Sequence, residues 1–403
     1  MTADRGGMHR PALAVLSASA FVYVTAETLP VGLLPQIAQG LSVREADVGL
    51  LLTSYAVVAG LTTIPLTAIT MGIPRHLLIA GTVAAFAVSQ LAAAFAPTFL
   101  VLMLARLICA LAHGIFWSTI APVAARLAPP GRAGRATALV FLGNSLAIVL
   151  GVPLGTALGQ WLGWRAALGA LAAAGALCVV ALLLVLPRMA ALPQDLATRT
   201  RARLRASVTI IRSRPVAAVC AATAVLVIGD FAAYTYIAPL VRRDGGLEGF
   251  GLSALLLGYG AAGLLGNWII GRHVDRRPGP LVLGCVALIA VALAALVPVL
   301  GPVPTVLAAL LWGGAFTACP VALQAAILRV APQARDAASA VYVVAFQIGI
   351  GGGALLGERF VRAGLLGLLP ALAAVLALLA GVIVLVARQT FPVRMPEEPV
   401  PAR

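Results

Sequence analysis

Apolar residues in this chain do not alternate with polar ones. They run on for about 20 residues at a stretch, break at short segments rich in Arg, Gly and Pro, and resume. A helix needs about 20 apolar residues to cross roughly 30 Å of hydrocarbon. Runs of this kind occupy 11–34, 47–70, 76–96, 98–122, 134–158 and 165–187 in the first half. The second half repeats them at 215–239, 252–272, 280–300, 303–326, 337–357 and 362–387. The pattern predicts an all-α membrane protein: twelve transmembrane helices in two pseudo-symmetric six-helix bundles around a central cavity. The longest polar stretch, 188–214, carries Arg188, Arg199, Arg201, Arg203, Arg205, Arg212 and Arg214 and reads as a linker between the bundles. This divides the chain into a first bundle over 1–187, the linker, and a second bundle with a short tail over 215–403.

Composition agrees with a membrane solvent. Hydrophobic residues make up 62% of the 403 and charged residues 10%, with a mean hydropathy of +1.05. Soluble domains carry about 25% charged residues. The net charge of +15 does not point to nucleic acid, because the basic residues sit in short loops between apolar runs. It points to anionic lipid headgroups. All 28 basic residues are Arg. With the N-terminus inside, six of them (Arg44, Arg165, Arg242, Arg243, Arg359, Arg362) fall outside, Arg106 falls within the fourth span, and the remaining 21 are cytoplasmic. The positive-inside rule therefore places both termini and the linker in the cytoplasm. The Arg-, Ala- and Gly-rich bias suggests a high-GC bacterial genome and hence a bacterial inner membrane. The first run follows Arg5, His9 and Arg10 but contains Glu27 and leads straight into further spans, so it reads as a retained helix rather than a cleaved signal. The five cysteines, Cys109, Cys178, Cys220, Cys285 and Cys319, lie inside apolar runs without metal-ligand spacing and read as small core residues. No cofactor or metal motif occurs.

The halves echo each other at an offset near 204. Leu34-Pro35 corresponds to Ala238-Pro239, and Gly60 to Gly263 or Gly266. Two acids lie well inside spans at nearly equivalent positions: Glu27 in the first and Asp230 in the seventh. A carboxylate in hydrocarbon costs several kcal/mol unless it meets water, a partner or a proton. Each therefore reads either as a proton-carrying site or as a structural hydrogen-bonding group. Arg106 and His113, seven residues apart, share one face of the fourth span. Arg106 either neutralises a carboxylate or holds backbone carbonyls of a neighbouring helix. His113, the only His in a span, is either a titrating group or a packed imidazole. Trp117 and Phe116 follow it and offer surface for a drug-sized apolar pocket. Glycines cluster in span five (Gly143, Gly151, Gly155, Gly159, with Pro153) and in span eleven (Gly349, Gly351, Gly352, Gly353, Gly357). Close helix packing accounts for both clusters; a hinge needs more.

At this point the motifs resemble the major facilitator superfamily, specifically its twelve-helix drug:proton antiporter branch. The run from Gly266 through Gly271-Arg272-His273-Val274-Asp275-Arg276-Arg277 resembles the family's loop motif, whose Asp and Arg latch adjacent helices. Gly151-Val152-Pro153-Leu154-Gly155 resembles the antiporter motif of span five, which the family associates with export. Arg106 matches an Arg implicated in proton coupling. Thr25-Ala26-Glu27, Val31 to Pro35, Ala112 to Ser118, Gly159 to Arg165 and Tyr234 to Pro239 are similar to the sugar-efflux, arabinose-efflux and chloramphenicol-resistance group. The likeness covers essentially the whole chain. One departure stands out: the first-half loop, Pro65 to Arg75, lacks the motif Asp, so its latch rests on Arg75 alone.

The resemblance and the buried acids together imply a monomeric, non-enzymatic exporter that exchanges a small organic compound, such as chloramphenicol, for protons by alternating access. Glu27, Asp230, Arg106 and His113 would couple the proton. Tyr23, Tyr55, Trp117, Phe141 and Asn144 from the first half would contact substrate. So would Tyr234, Tyr236, Phe346 and Gln347 from the second, with Trp268. Gly266, Gly271, Arg272, Asp275 and Arg276, with Gly151, Pro153 and Gly155, would form the conformational switch. A dedicated sugar or purine exporter is the alternative. A non-transporting membrane sensor would need a soluble effector domain, and neither the tails nor the linker are long enough to hold one. An enzyme would need a nucleophile–base pair or phosphate loop, and the sequence shows neither.

Overall fold

The computed structural model describes residues 8–190 and 209–394; Arg199, Arg201, Arg203 and Arg205 of the linker lie outside them. Among the described residues all regular structure is helical. In hydrocarbon this is the expected solution, because an α-helix satisfies its own backbone donors and acceptors. The first half holds α1 (Arg10–Gly32), α2 (Leu34–Leu41), α3 (Glu45–Thr70), α4 (Arg75–Ala94), α5 (Phe99–Arg126), α6 (Ala133–Leu146), α7 (Val152–Leu162) and α8 (Trp164–Val185). The second holds α9 (Arg214–Tyr234), α10 (Ile237–Gly245), α11 (Gly249–His273), α12 (Pro278–Ala295), α13 (Pro302–Val330), α14 (Arg335–Arg362) and α15 (Leu369–Val386).

Among the described residues, eleven segments are long and apolar enough to cross a membrane, with α6 and α7 joined as one over Ala133–Leu162. The 26-residue α3, whose apolar part is Ser54–Thr70, makes the twelfth crossing. Two short helices were not expected. Leu34-Pro35 and Ala238-Pro239 do not end the first and seventh spans; they open α2 and α10. Proline fits the first turn of a helix, where its missing N–H is no loss.

Two apolar cores form. One draws buried residues from Ala12 to Leu186, and the other from Val216 to Phe391 together with Ala121, Ala125 and Ala138 of the first half. Close helix contacts run through glycine. A Cβ at Gly143 in α6 would lie 1.9 Å from the Ser17 carbonyl oxygen of α1, and one at Gly353 in α14 would lie 2.5 Å from the Ile228 carbonyl oxygen of α9. The same device thus joins α1 to α6 in one half and α9 to α14 in the other. Between α6 and α7 the helix widens into a π turn at Ala147–Gly151, just before Pro153. A proline removes the donor that would continue the ladder, and such widening is one way to absorb the loss.

Three hydrogen bonds bring His9, Met189 at the start of the linker, and Pro392 to one end of the bundle. The His9 N–H donates to the Leu127 carbonyl at 3.0 Å, Met189 N–H to His76 Nδ1 at 3.1 Å, and Gly279 N–H to the Pro392 carbonyl at 3.0 Å. The loops α3–α4, α5–α6 and α11–α12 share this Arg-rich end.

Candidate functional site

The first-half cluster is built on a helix that proline has weakened. Pro30 in α1 has no N–H, so the Ala26 carbonyl four residues earlier loses its helical donor. Arg106 in α5 supplies one: its guanidinium donates to the Ala26 carbonyl at 2.7 Å and to the Glu27 carbonyl at 3.3 Å. Arg106 therefore holds backbone and does not pair with a carboxylate, although it is only 1% exposed. Its guanidinium carbon also lies 5.1 Å from the centre of the Tyr55 ring, a cation–π contact.

With its backbone fixed in this way, Glu27 presents a side chain that is 25% exposed, with Oε2 3.8 Å from His113 Nδ1. The same Nδ1 is 2.9 Å from the Tyr55 hydroxyl. Behind them, the Cys109 Sγ lies 3.8 Å from both the Tyr55 hydroxyl and Gln90 Nε2. The structure thus brings together Glu27, Arg106, His113 and Tyr55 from α1, α3 and α5. Glu27–His113–Tyr55 is a run of groups that each gain or share a proton, open to solvent at one end and buried at the other.

Asp230 belongs to a separate site in the second core. Trp312 Nε1 donates to Asp230 Oδ1 at 2.6 Å, while Oδ2 is buried without a hydrogen-bond partner. Tyr234, Tyr259 and Trp312 surround the carboxyl, with ring centres 5.3–6.2 Å apart. The Tyr259 hydroxyl is likewise buried and unpartnered. Two of these groups were missed from the sequence. Tyr259 stands 204 residues after Tyr55, the offset of the internal repeat, and was recoverable from it; Trp312 carried no such signal.

Several expected substrate contacts are elsewhere. Tyr23 is 1% exposed inside the first bundle, stacked on Phe116 at 4.2 Å, with its hydroxyl donating to the Thr82 carbonyl at 2.8 Å. It is a packing residue. Tyr236 lies beyond α9, against Gly357, away from the Asp230 group. Trp268 is 52% exposed on the outer surface under the Arg272 guanidinium, 4.1 Å from its ring centre. Trp117 does stand between the halves: it packs against both cores and meets Phe141 edge-on at 5.7 Å. Phe346 packs on the second core, Asn144 is half-buried, and Gln347 lies on α14 facing Gly60 of α3.

The switch residues form two clasps at the Arg-rich end. The α6 N-cap is Arg132, which offers no acceptor, so the first amides of α6 need one from outside. Asp275 provides it: Oδ1 accepts from Gly134 N–H at 2.7 Å and Oδ2 from Arg135 N–H at 2.9 Å. A carboxylate from the second half thereby caps a helix of the first. Burial pushes the Asp275 carboxyl up from its ordinary value, against the pull of these two amides, Arg329 and Arg132. Gly271 lets α11 approach Ala138, and Gly266 lets it approach the Gly314 carbonyl, whereas Arg272 and Arg276 are exposed. In span five, Gly151 and Gly155 face Thr25 and Leu29 of α1, while Pro153 is exposed.

The second clasp corrects the expectation that Arg75 acts alone. Arg75 Nη2 donates to Asp336 Oδ2 at 2.6 Å and Nε to the same oxygen at 3.1 Å, both residues being buried. Asp336 sits in the first turn of α14, in the other half. The acid missing from the first-half loop is therefore carried by the helix it clasps.

Comparison with known proteins agrees with this architecture. The chain is 40% identical over 354 residues to the chloramphenicol efflux pump Rv0191 of Mycobacterium tuberculosis, a match covering 86% of this chain and 84% of the pump. The chloramphenicol efflux pump MT0201 from another strain of that organism matches to the same extent. Among solved structures, the human organic anion transporter MFSD10 (TETRAN) superposes with a TM-score of 0.74 at 16% identity, over 94% of this chain and 100% of that one. FucP, a Major Facilitator Superfamily transporter in the outward conformation, gives 0.72 at 19% identity, over 93% of this chain and 98% of its own. The Major Facilitator Superfamily sequence profile matches residues 16–354. The chain therefore belongs to the Major Facilitator Superfamily and is a multi-pass membrane transporter, not an enzyme.

Proposed function

We propose that this transporter exports a small neutral amphipathic compound of the chloramphenicol type in exchange for protons. The observation that carries the reading is the partly exposed Glu27 carboxyl beside His113 and Tyr55, on a backbone pinned by Arg106. Glu27 takes a proton from outside and releases it inward as bundles 1–187 and 215–403 rock about the cavity, and Asp230 assists from the second bundle. The Arg-rich end faces the cytoplasm of a bacterial inner membrane, and the protein works as a monomer. Trp117, Phe141 and Phe346 supply aromatic pocket surface, with Asn144 and Gln347 as polar contacts. Aromatic predominance at the seam favours an amphipathic drug over a sugar.

The test is drug-driven proton movement in vesicles reconstituted with the purified protein. Glu27→Gln should abolish chloramphenicol-dependent proton release while leaving the protein folded. Undiminished release would sink the assignment.

A further inference from the structure

A cavity of about 200 Å³ opens beside the Asp275 clasp, lined by Ala133 and Gly134 of α6, Asp275, Leu328 and Arg329 of α13, and Arg335 of α14. It draws on both halves of the molecule. Two of its guanidinium groups have donors to spare: Arg329 Nη2 and Arg335 Nε are buried and make no hydrogen bond. The carboxylate in the wall does not take them up; its two oxygens accept from the Gly134 and Arg135 amides instead.

Charge around the cavity is unbalanced in the same sense. Arg132 and Arg329 lie within electrostatic reach of Asp275, and Arg126 within reach of Arg75, Arg335 and Asp336. Asp336 is itself committed to Arg75. Five guanidinium groups thus crowd two carboxylates, Asp275 held by the α6 amides and Asp336 held by Arg75 through Oδ2 alone. A buried donor on a charged group costs free energy when left unpaired. Planar forks of N–H donors suit the oxygens of a phosphate group.

We propose that this cavity binds a phosphate-type oxyanion, either free phosphate or the phosphodiester of an anionic lipid, and that the bound anion bridges α6 to α13 and α14 and holds the Arg-rich end closed. The site is separate from Glu27 and Asp230 and does not depend on what is exported. The anion engages Arg329 and Arg335 from the second half while resting against the first turn of α6. Opening this end would pull those walls apart and release it.

The experiment uses the full-length protein in phosphatidylcholine nanodiscs. Thermal stability and hydrogen exchange are followed as inorganic phosphate replaces chloride at constant ionic strength. A second arm adds phosphatidylglycerol to the disc in place of phosphate. The expected result is a rise of a few degrees in Tm, with slower exchange at the amides of α6's first turn. Arg329→Gln and Arg335→Gln should each flatten the response, and Arg277→Gln, an exposed arginine outside the cavity, should keep it. Should Arg329→Gln fail to fold, Arg335→Gln decides alone. A response to phosphate identifies the free anion, and one to phosphatidylglycerol alone identifies the lipid. The site is overturned if neither probe moves the wild-type Tm, or if the response survives in the arginine variants. A Tm rise without protection of α6 overturns the closing role.

Discussion

Arg106 shows how one residue answers for another. Its hydrogen bonds replace the helical donor that Pro30 deletes, so the two positions should be energetically coupled. Arg106→Ala should lower stability by about 1.5–3 kcal/mol, the usual range for a hydrogen bond to a charged group. In a Pro30→Ala background, where the N–H returns to serve the Ala26 carbonyl, the loss should be clearly smaller. Thermal unfolding of the four proteins in detergent measures the difference, and equal losses would show that Arg106 acts elsewhere. Glu27, Arg106 and His113 were legible because polar groups in apolar runs stand out. What Arg106 touches was not, since a carbonyl partner leaves no mark beyond the proline that freed it. Tyr23 misled for a related reason. Helical spacing sets it one turn from Glu27, but only the packing of Phe86 and Phe116 turns its ring into the bundle.

At the scale of elements, glycine decides how closely helices meet. Any side chain at Gly143 must displace the Ser17 backbone, whereas Gly169 in α8 has open space around it. Gly143→Ala should therefore force α1 and α6 apart, with a loss of at least 1–3 kcal/mol. Gly169→Ala should be neutral or stabilising by up to about 1 kcal/mol through helix propensity. Melting temperatures of the two variants test the contrast. The twelve crossings were readable because the bilayer fixes their length and forbids charge within it. The short helices α2 and α10 were not, because they lie at span ends where no such rule applies. Their prolines, taken from sequence as the close of a helix, are the start of the next.

Across the whole molecule, two clasps shut the Arg-rich end, and they differ in kind. Arg75→Gln leaves Asp336 buried without its hydrogen-bonded cation, which should cost the closed state up to about 3–5 kcal/mol. Asp275→Ala removes a helix cap and should cost about 1 kcal/mol. Distances between spin labels on the α5–α6 and α11–α12 loops should therefore broaden more in Arg75→Gln than in Asp275→Ala. The reverse order would mean that the cap, not the ion pair, governs closure. Asp275 was legible from its motif. Asp336 was not, because the motif assigns the acid to the loop, and here the same charge sits across the seam on the helix.

The two clasps are also unequally open to change over generations. Arg75 and Asp336 are both side chains, so either can be altered by a single codon, and a swap at one can be answered at the other. The Asp275 clasp grips main-chain amides that every residue except proline supplies. The side chain at Arg135 is thus free to drift. Gly134 is held by shape alone, since a Cβ there would meet Val274 at 2.5 Å. One clasp can change at both ends together; the other depends on Asp275 and on glycine at position 134, with nothing across the seam to compensate.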